Sequence, residues 1–311
     1  MNKSYLKVCG NHNVFFETYG NPKGIPVVFL HGGPGSGFSD SSKVFFDKNR
    51  CFVTFIDQRG CGNSTPNGSV FNNTTQNLTQ DIELIRKHLK IKSWVLFGGS
   101  WGSTLALYYA IKYPKQVKSL ILRGIFLGTK HEINYFVNDM GKKFFPKVYY
   151  DFVKIVPSKK NILSHYHEAV FNFEEKKTYD AIRRWQNLEE AAIKMSEEGF
   201  SSVDLNMQKI SPDAKRKELN RMRVHLHYLI NDCFLYHNEI LENCSTLINK
   251  SLRIIQGDLD PICPKENALK LHNSLKNSKI EIIQNAGHNA FCPKIKSALI
   301  KTIDEELEKI S

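Results

Sequence analysis

The sequence predicts an α/β fold built on a mainly parallel sheet and interrupted by a long helical insertion. Three observations carry that prediction. Short continuous apolar runs alternate with helical stripes, the pattern of buried parallel strands and their crossover helices. A strand-like run beginning at Val95 passes through Gly98-Gly99-Ser100-Trp101-Gly102 directly into a helical pattern of Leu105, Ala106, Tyr109 and Ala110. From residue 129 to 244 the alternation stops; the pattern there is helical, aromatic and charged, with Gly141 and Gly199 its only glycines.

In chain order, Phe15–Tyr19 reads as an early strand closed by Gly20-Asn21-Pro22. Ile25–Leu30 is a continuous apolar run, as expected of a strand buried on both faces, and it ends in His31-Gly32-Gly33-Pro34-Gly35. Cys51–Asp57 is the next buried strand, followed by Gln58-Arg59-Gly60-Cys61-Gly62-Asn63-Ser64. Apolar residues at 78, 82, 85 and 89 mark a helix over Leu78–Leu89, with Thr79 and Asp81 near its start. Val117–Gly124 is a strand after the glycine-flanked serine. Beyond the insertion, Leu252–Gly257 resumes the sheet, a helix runs from Glu266 to Leu275, and Ile280–Ile283 is a last strand before a helix over about 294–309. The expected organisation is therefore a core in two parts, 1–128 and 245–311, with 129–244 inserted between them.

Composition narrows the function classes. At 311 residues, 41% hydrophobic and 24% charged, the chain can bury a full interior. The opening MNKSYLKVCGNHNVFFE lacks the apolar stretch of an export signal, and no window is long and apolar enough for a membrane span. Seven cysteines, scattered singly and without a C-x-x-C pair, suggest reduced thiols rather than a disulfide framework or zinc. These features predict a cytoplasmic protein with no membrane partner. Of the net charge of +12, 11 lies outside the nearly neutral insertion, on scattered lysines such as Lys87, Lys90, Lys112 and Lys118. That pattern reads as a solvated basic surface, not a nucleic-acid interface.

The chemistry is expected at Ser100. Gly98 and Gly102 fit the G-x-S-x-G elbow, where small flanking residues let the chain turn sharply and expose the hydroxyl beside the first N–H groups of a helix. A serine becomes a nucleophile only beside an oriented base. His288 follows the last predicted strand, and Asp258 and Asp260 follow the one before it, so the order is Ser, Asp, His. Spacing alone leaves the two aspartates as rivals. The glycine-rich stretch 31–35 could supply a second oxyanion donor. The pairs His165/His167 and His225/His227 are read as packed or surface residues, so no metal or other cofactor is expected.

Together, HGGPG at 31–35, DQRGCGNS at 57–64, GGSWGSTLAL at 98–107, LRGIF at 122–126, GDLDPICP at 257–264 and AGH at 286–288 resemble the proline iminopeptidases of the α/β-hydrolase superfamily. The resemblance implies an α/β-hydrolase fold, with helices on both sheet faces and an inserted helical cap. It implies Asp260 as the acid and the backbone N–H groups of Gly33 and Trp101 as oxyanion donors. These peptidases bind a substrate's N-terminal amine with cap glutamates. In AIRRWQNLEE, 181–190, Trp185 and Glu189 match the family's Trp-x-x-Trp-Glu segment, with Leu188 in place of the second Trp. His225 stands where a second carboxylate is expected. The implied activity is release of an N-terminal residue, preferably proline, from short peptides with a free N-terminus. The departures at Leu188 and His225 keep open a small-ester or amide hydrolase; a non-catalytic ligand sensor is the alternative outside enzymes. Cys263 and Cys292 are read as packing behind the site.

Overall fold

In the computed structural model, residues 2–172, 174–195, 211–275 and 277–310 are described. Eight strands form one sheet: β1 Asn2–Val8, β2 His12–Gly20, β3 Ile25–Leu30, β4 Cys51–Ile56, β5 Trp94–Ser100, β6 Val117–Ile125, β7 Ser251–Gly257 and β8 Ser278–Ile283. Their spatial order is β1-β2-β4-β3-β5-β6-β7-β8. The first two strands pair antiparallel, and all pairings from β4 to β8 are parallel. The sheet is thus the α/β-hydrolase fold expected from the sequence, with one element unforeseen. The strand β1 sits at the edge with Lys3 and Lys7 exposed, so it carries too little apolar signal to be read before it pairs with β2.

Both faces of the sheet are covered because the central strands alternate between two apolar layers. Trp94 and Leu96 of β5 enter one core with α1 Thr75–His88 and α2 Trp101–Lys112. Val95 and Phe97 enter the other, with Phe45, Phe46 and the C-terminal helix. Between β6 and β7 lie α3 Lys130–Asn134, α4 Gly141–Phe144, α5 Pro146–Val153, α6 Ile162–Asn172, α7 Glu175–Lys194, α8 Pro212–Ile230 and α9 Glu239–Asn243. The helices α5 to α8 pack on one another, whereas α9 lies against α2. Phe173 and residues 196–210, including Gly199, lie outside the described residues. Two helices complete the core, α10 Lys265–Ser274 and α11 Pro293–Ile310. No helix among the described residues is long and apolar enough to cross a membrane.

Candidate active site

Ser100 occupies the corner between β5 and α2 at φ 57°, ψ −127°. Side-chain-bearing residues avoid this conformation, and holding one there costs on the order of 1–3 kcal/mol. Close backbone approach explains both flanking glycines. A Cβ at Gly98 would come within 2.2 Å of the Gly102 carbonyl oxygen, and one at Gly102 within 2.1 Å of the Leu30 carbonyl oxygen. The turn is therefore wedged against its own helix and against β3. Beyond it, the first N–H groups of α2, starting with Trp101, lack intrahelical partners.

The loop after β3 is held facing this corner by the stretch that follows β4. The Gln58 amide donates to the His31 carbonyl at 3.0 Å, and its carbonyl accepts the Trp101 indole N–H at 2.8 Å. The Gln58 backbone N–H donates to His31 Nε2 at 3.1 Å, while His31 Nδ1 faces the Gly32 carbonyl at 2.9 Å. Burial holds the His31 imidazole below its ordinary pKa despite the pull of Asp57, consistent with the neutral tautomer that this pairing needs. Arg59 makes two hydrogen bonds to Asp81, of 2.5 and 2.7 Å, anchoring the same stretch on α1. The DQRGCGNS motif thus fixes the loop that carries Gly33 beside the serine corner.

At the far side, His288 Nδ1 lies 2.7 Å from Asp260 Oδ2. The other Asp260 oxygen accepts the backbone N–H groups of Ile262 and Cys263 at 3.0 and 2.8 Å. The geometry pairs the imidazole with Asp260; Asp258 instead accepts the Ala286 N–H at 3.3 Å. Sequence reading missed the residue that braces this corner. Gln256, fully buried in β7, accepts the Ile125 N–H at 3.0 Å and donates to the Cys263 carbonyl at 2.9 Å and to Asp260 Oδ2 at 3.4 Å. Its signal was an amide directly after the apolar pair Ile254-Ile255 at the end of a strand run.

Ser100, His288, Gly33, Trp101, Glu189 and His225 all line one cavity of about 300 Å³, whose apolar wall includes Phe126, Ile133 and Phe136. Trp185 does not line it. That ring is fully buried behind Glu189, donating its indole N–H to Glu189 Oε1 at 3.0 Å. Leu188 is likewise in the core. Cys263 lines the cavity, and Cys292 does not.

The cavity wall that carries Glu189 also holds an unexpected cation. Arg221 Nη2 donates to Glu189 Oε2 at 3.1 Å, and Arg221 Nε to Glu218 at 2.5 Å. Burial alone would raise the Glu189 carboxyl, but Arg221, His225 and the Trp185 N–H outweigh it and hold the pKa below its ordinary value. His225 Nε2 stands 3.4 Å from Glu189 Oε1, and its Nδ1 is 3.2 Å from the Pro34 carbonyl oxygen. With Nδ1 donating, Nε2 presents a lone pair. Burial holds this imidazole below its usual pKa, and Arg221 adds to the effect against the pull of Glu189. Two acceptors, His225 Nε2 and Glu189 Oε1, therefore face each other, and the nitrogen is buried without a hydrogen-bond partner. An N–H donor entering the cavity would satisfy both. Arg221 could have been found from its spacing, since Glu218, Arg221 and His225 lie one helical turn apart.

Asp260, Cys263 and His288 bring three ligand-type atoms within 4.8 Å of one another. Burial, followed by Asp260, pushes the Cys263 thiol well above its ordinary range, so it stays protonated. The Asp260 oxygens are committed to the imidazole and the loop amides. That donor set does not suit a metal ion.

A family model described as alpha/beta hydrolase fold matches residues 25–294. The chain is 35% identical over 302 residues to a proline iminopeptidase of Xylella fastidiosa, covering 96% of this chain and 94% of that one. It is 35% identical over 311 residues to one of Neisseria gonorrhoeae, covering 98% and 96%. Among solved structures, a proline iminopeptidase of Mycobacterium smegmatis superposes with a TM-score of 0.64 at 14% identity, covering all of both chains. That likeness speaks for the fold.

Proposed function

The chain belongs to the proline iminopeptidase family of the α/β-hydrolase superfamily, and from that premise we propose that it is a serine aminopeptidase releasing N-terminal proline, or another small residue, from short peptides. The observation that carries the reading is the 2.7 Å contact between His288 and Asp260 in the wall of the cavity that Ser100 also lines. Ser100 Oγ attacks the scissile carbonyl carbon as His288 takes its proton. Asp260 holds the imidazole and stabilises its charged form. The Gly33 and Trp101 backbone N–H groups receive the oxyanion. As the tetrahedral intermediate collapses, the C–N bond breaks and His288 protonates the leaving amine. Water then repeats the sequence on the acyl-enzyme, with His288 as base, and frees the N-terminal residue.

The insertion, 129–244, acts as a cap over the two core parts, 1–128 and 245–311. Its Glu189 and His225 accept the substrate's amine N–H groups at the paired acceptor atoms, and Trp185 holds Glu189 in place. The site works without a metal or other cofactor, and the seven free cysteines fit action in the cytoplasm.

Two observations favour a second reading, hydrolysis of small esters or amides. Arg221 already compensates Glu189, and an imidazole stands at 225 where a second carboxylate was expected. Both readings are tested by comparing hydrolysis of proline and alanine arylamides, their N-blocked forms and short-chain esters. Preference for the free-amine arylamides is the expected result. Equal cleavage of blocked amides or esters favours the second reading.

A further inference from the structure

The LRGIF segment has no part in the reaction described above, yet it places a half-buried guanidinium at the site. Arg123, near the end of β6, lies flat across Gly99; a Cβ at Gly99 would come within 2.3 Å of its Nε. Its Nη1 donates to the His288 carbonyl at 2.8 Å. This is the single hydrogen bond of the guanidinium among the described residues, and among them no carboxylate comes within the 4.0 Å of an ion pair. The nearby carboxylate, Asp260, is committed to His288 and the loop amides. Burial lowers the Arg123 pKa, and the more distant Asp260 only partly offsets that. A half-buried cation with unused donors beside a cavity is placed to receive an anion.

Two cavities meet at this side chain. One is the cavity in front of Ser100; the other, about 180 Å³, shares Arg123 and Gly32 with it and is walled by Phe29, Phe38, Phe45, Phe97 and Phe291. A planar guanidinium fork matches a carboxylate. When a dipeptide is cleaved at its only peptide bond, the leaving group is an amino acid whose α-carboxylate is one carbon removed from the departing nitrogen. The departing nitrogen must also lie next to His288, whose own carbonyl is bound to Arg123.

We propose that Arg123 binds the α-carboxylate of the leaving residue and that the phenylalanine-walled cavity takes its side chain. The preferred substrates are then dipeptides with a small N-terminal residue, an apolar second residue and a free C-terminus. This deepens the aminopeptidase reading and rests on it.

The test compares kcat/KM for prolyl-leucine, prolyl-leucinamide and a proline arylamide, in the native protein and in Arg123→Met. The native protein should prefer the acid to the amide by roughly tenfold or more, the scale of one charge-assisted hydrogen bond. Arg123→Met should collapse that preference, and Arg123→Lys should recover part of it. A purely structural role would lower acid and amide together and leave their ratio intact, which overturns the proposal. A native ratio near one, with the arylamide still cleaved, overturns it too while the aminopeptidase reading survives. If none of the three is cleaved, the aminopeptidase reading itself fails. Should Arg123→Met not fold, inhibition of the native protein by free leucine against leucinamide gives the same discrimination: stronger inhibition by leucine supports the proposal, equal inhibition defeats it.

Discussion

Replacing Glu189 with glutamine probes the site's recognition of an amine. The carboxylate has four lone-pair positions. Trp185 occupies one at 3.0 Å and Arg221 another at 3.1 Å, leaving Oε1 free on the side of His225 Nε2. A carboxamide keeps an oxygen for the Trp185 indole, and Arg221 keeps Glu218, so the fold should survive. What disappears is the negative charge behind the hydrogen bond to the substrate ammonium; a charge-assisted bond of this kind is worth about 1.5–3 kcal/mol. That predicts a fall in kcat/KM of roughly 10- to 100-fold on a free proline arylamide. The result should sit toward the lower figure, because Arg221 already offsets part of the charge that glutamine removes. An N-blocked proline ester, which carries no ammonium, should be hydrolysed at the native rate. The assay is steady-state kinetics on the two substrates with a thermal melt as control. An unchanged arylamide rate, or an equal loss on both substrates, would show that Glu189 does not read the amine.

Gln256→Leu should lower both stability and turnover, because it strips the acceptor from the buried Ile125 N–H. An orphaned buried donor costs about 1–3 kcal/mol; urea denaturation and kcat measure the two effects, and native values for both would refute the bracing role. Ser100→Gly should abolish hydrolysis yet raise stability. Relief of the strained corner, about 1–3 kcal/mol, exceeds the 0.5–1 kcal/mol entropic cost of glycine, and calorimetry showing a lowered midpoint would contradict the strain. Stability should also decline on acidification. Burial holds His31 and His225 below the unfolded imidazole value of 6.5. Below that pH the unfolded chain binds more protons, so the contribution is whole above 6.5 and is lost as pH falls through the depressed folded values. Melting midpoints should drop between pH 7.5 and 5.5, less steeply in His225→Gln; a flat native profile would rule the mechanism out.

Much of this was legible in the residues themselves, because strands and helices write their burial into the chain with periods of 2 and 3.6. The apolar runs at 25–30 and 51–56, the stripe at 78–89 and the elbow all stand in the structure where the sequence placed them. Local chemistry likewise ties Gly98 and Gly102 to a sharp turn, although the Leu30 carbonyl that forbids a side chain at 102 belongs to another strand. The edge strand β1 escaped because half its surface faces water, leaving no apolar signature to read. Distance along the chain hides everything that depends on pairing. The resemblance singled out Asp260 over Asp258, but that Gln256 braces Asp260, that Arg221 compensates Glu189 and that Arg123 sits between two cavities are contacts between segments brought together only by packing. Electrostatics and hydrogen bonding act over a few ångströms of space, and sequence order does not measure space.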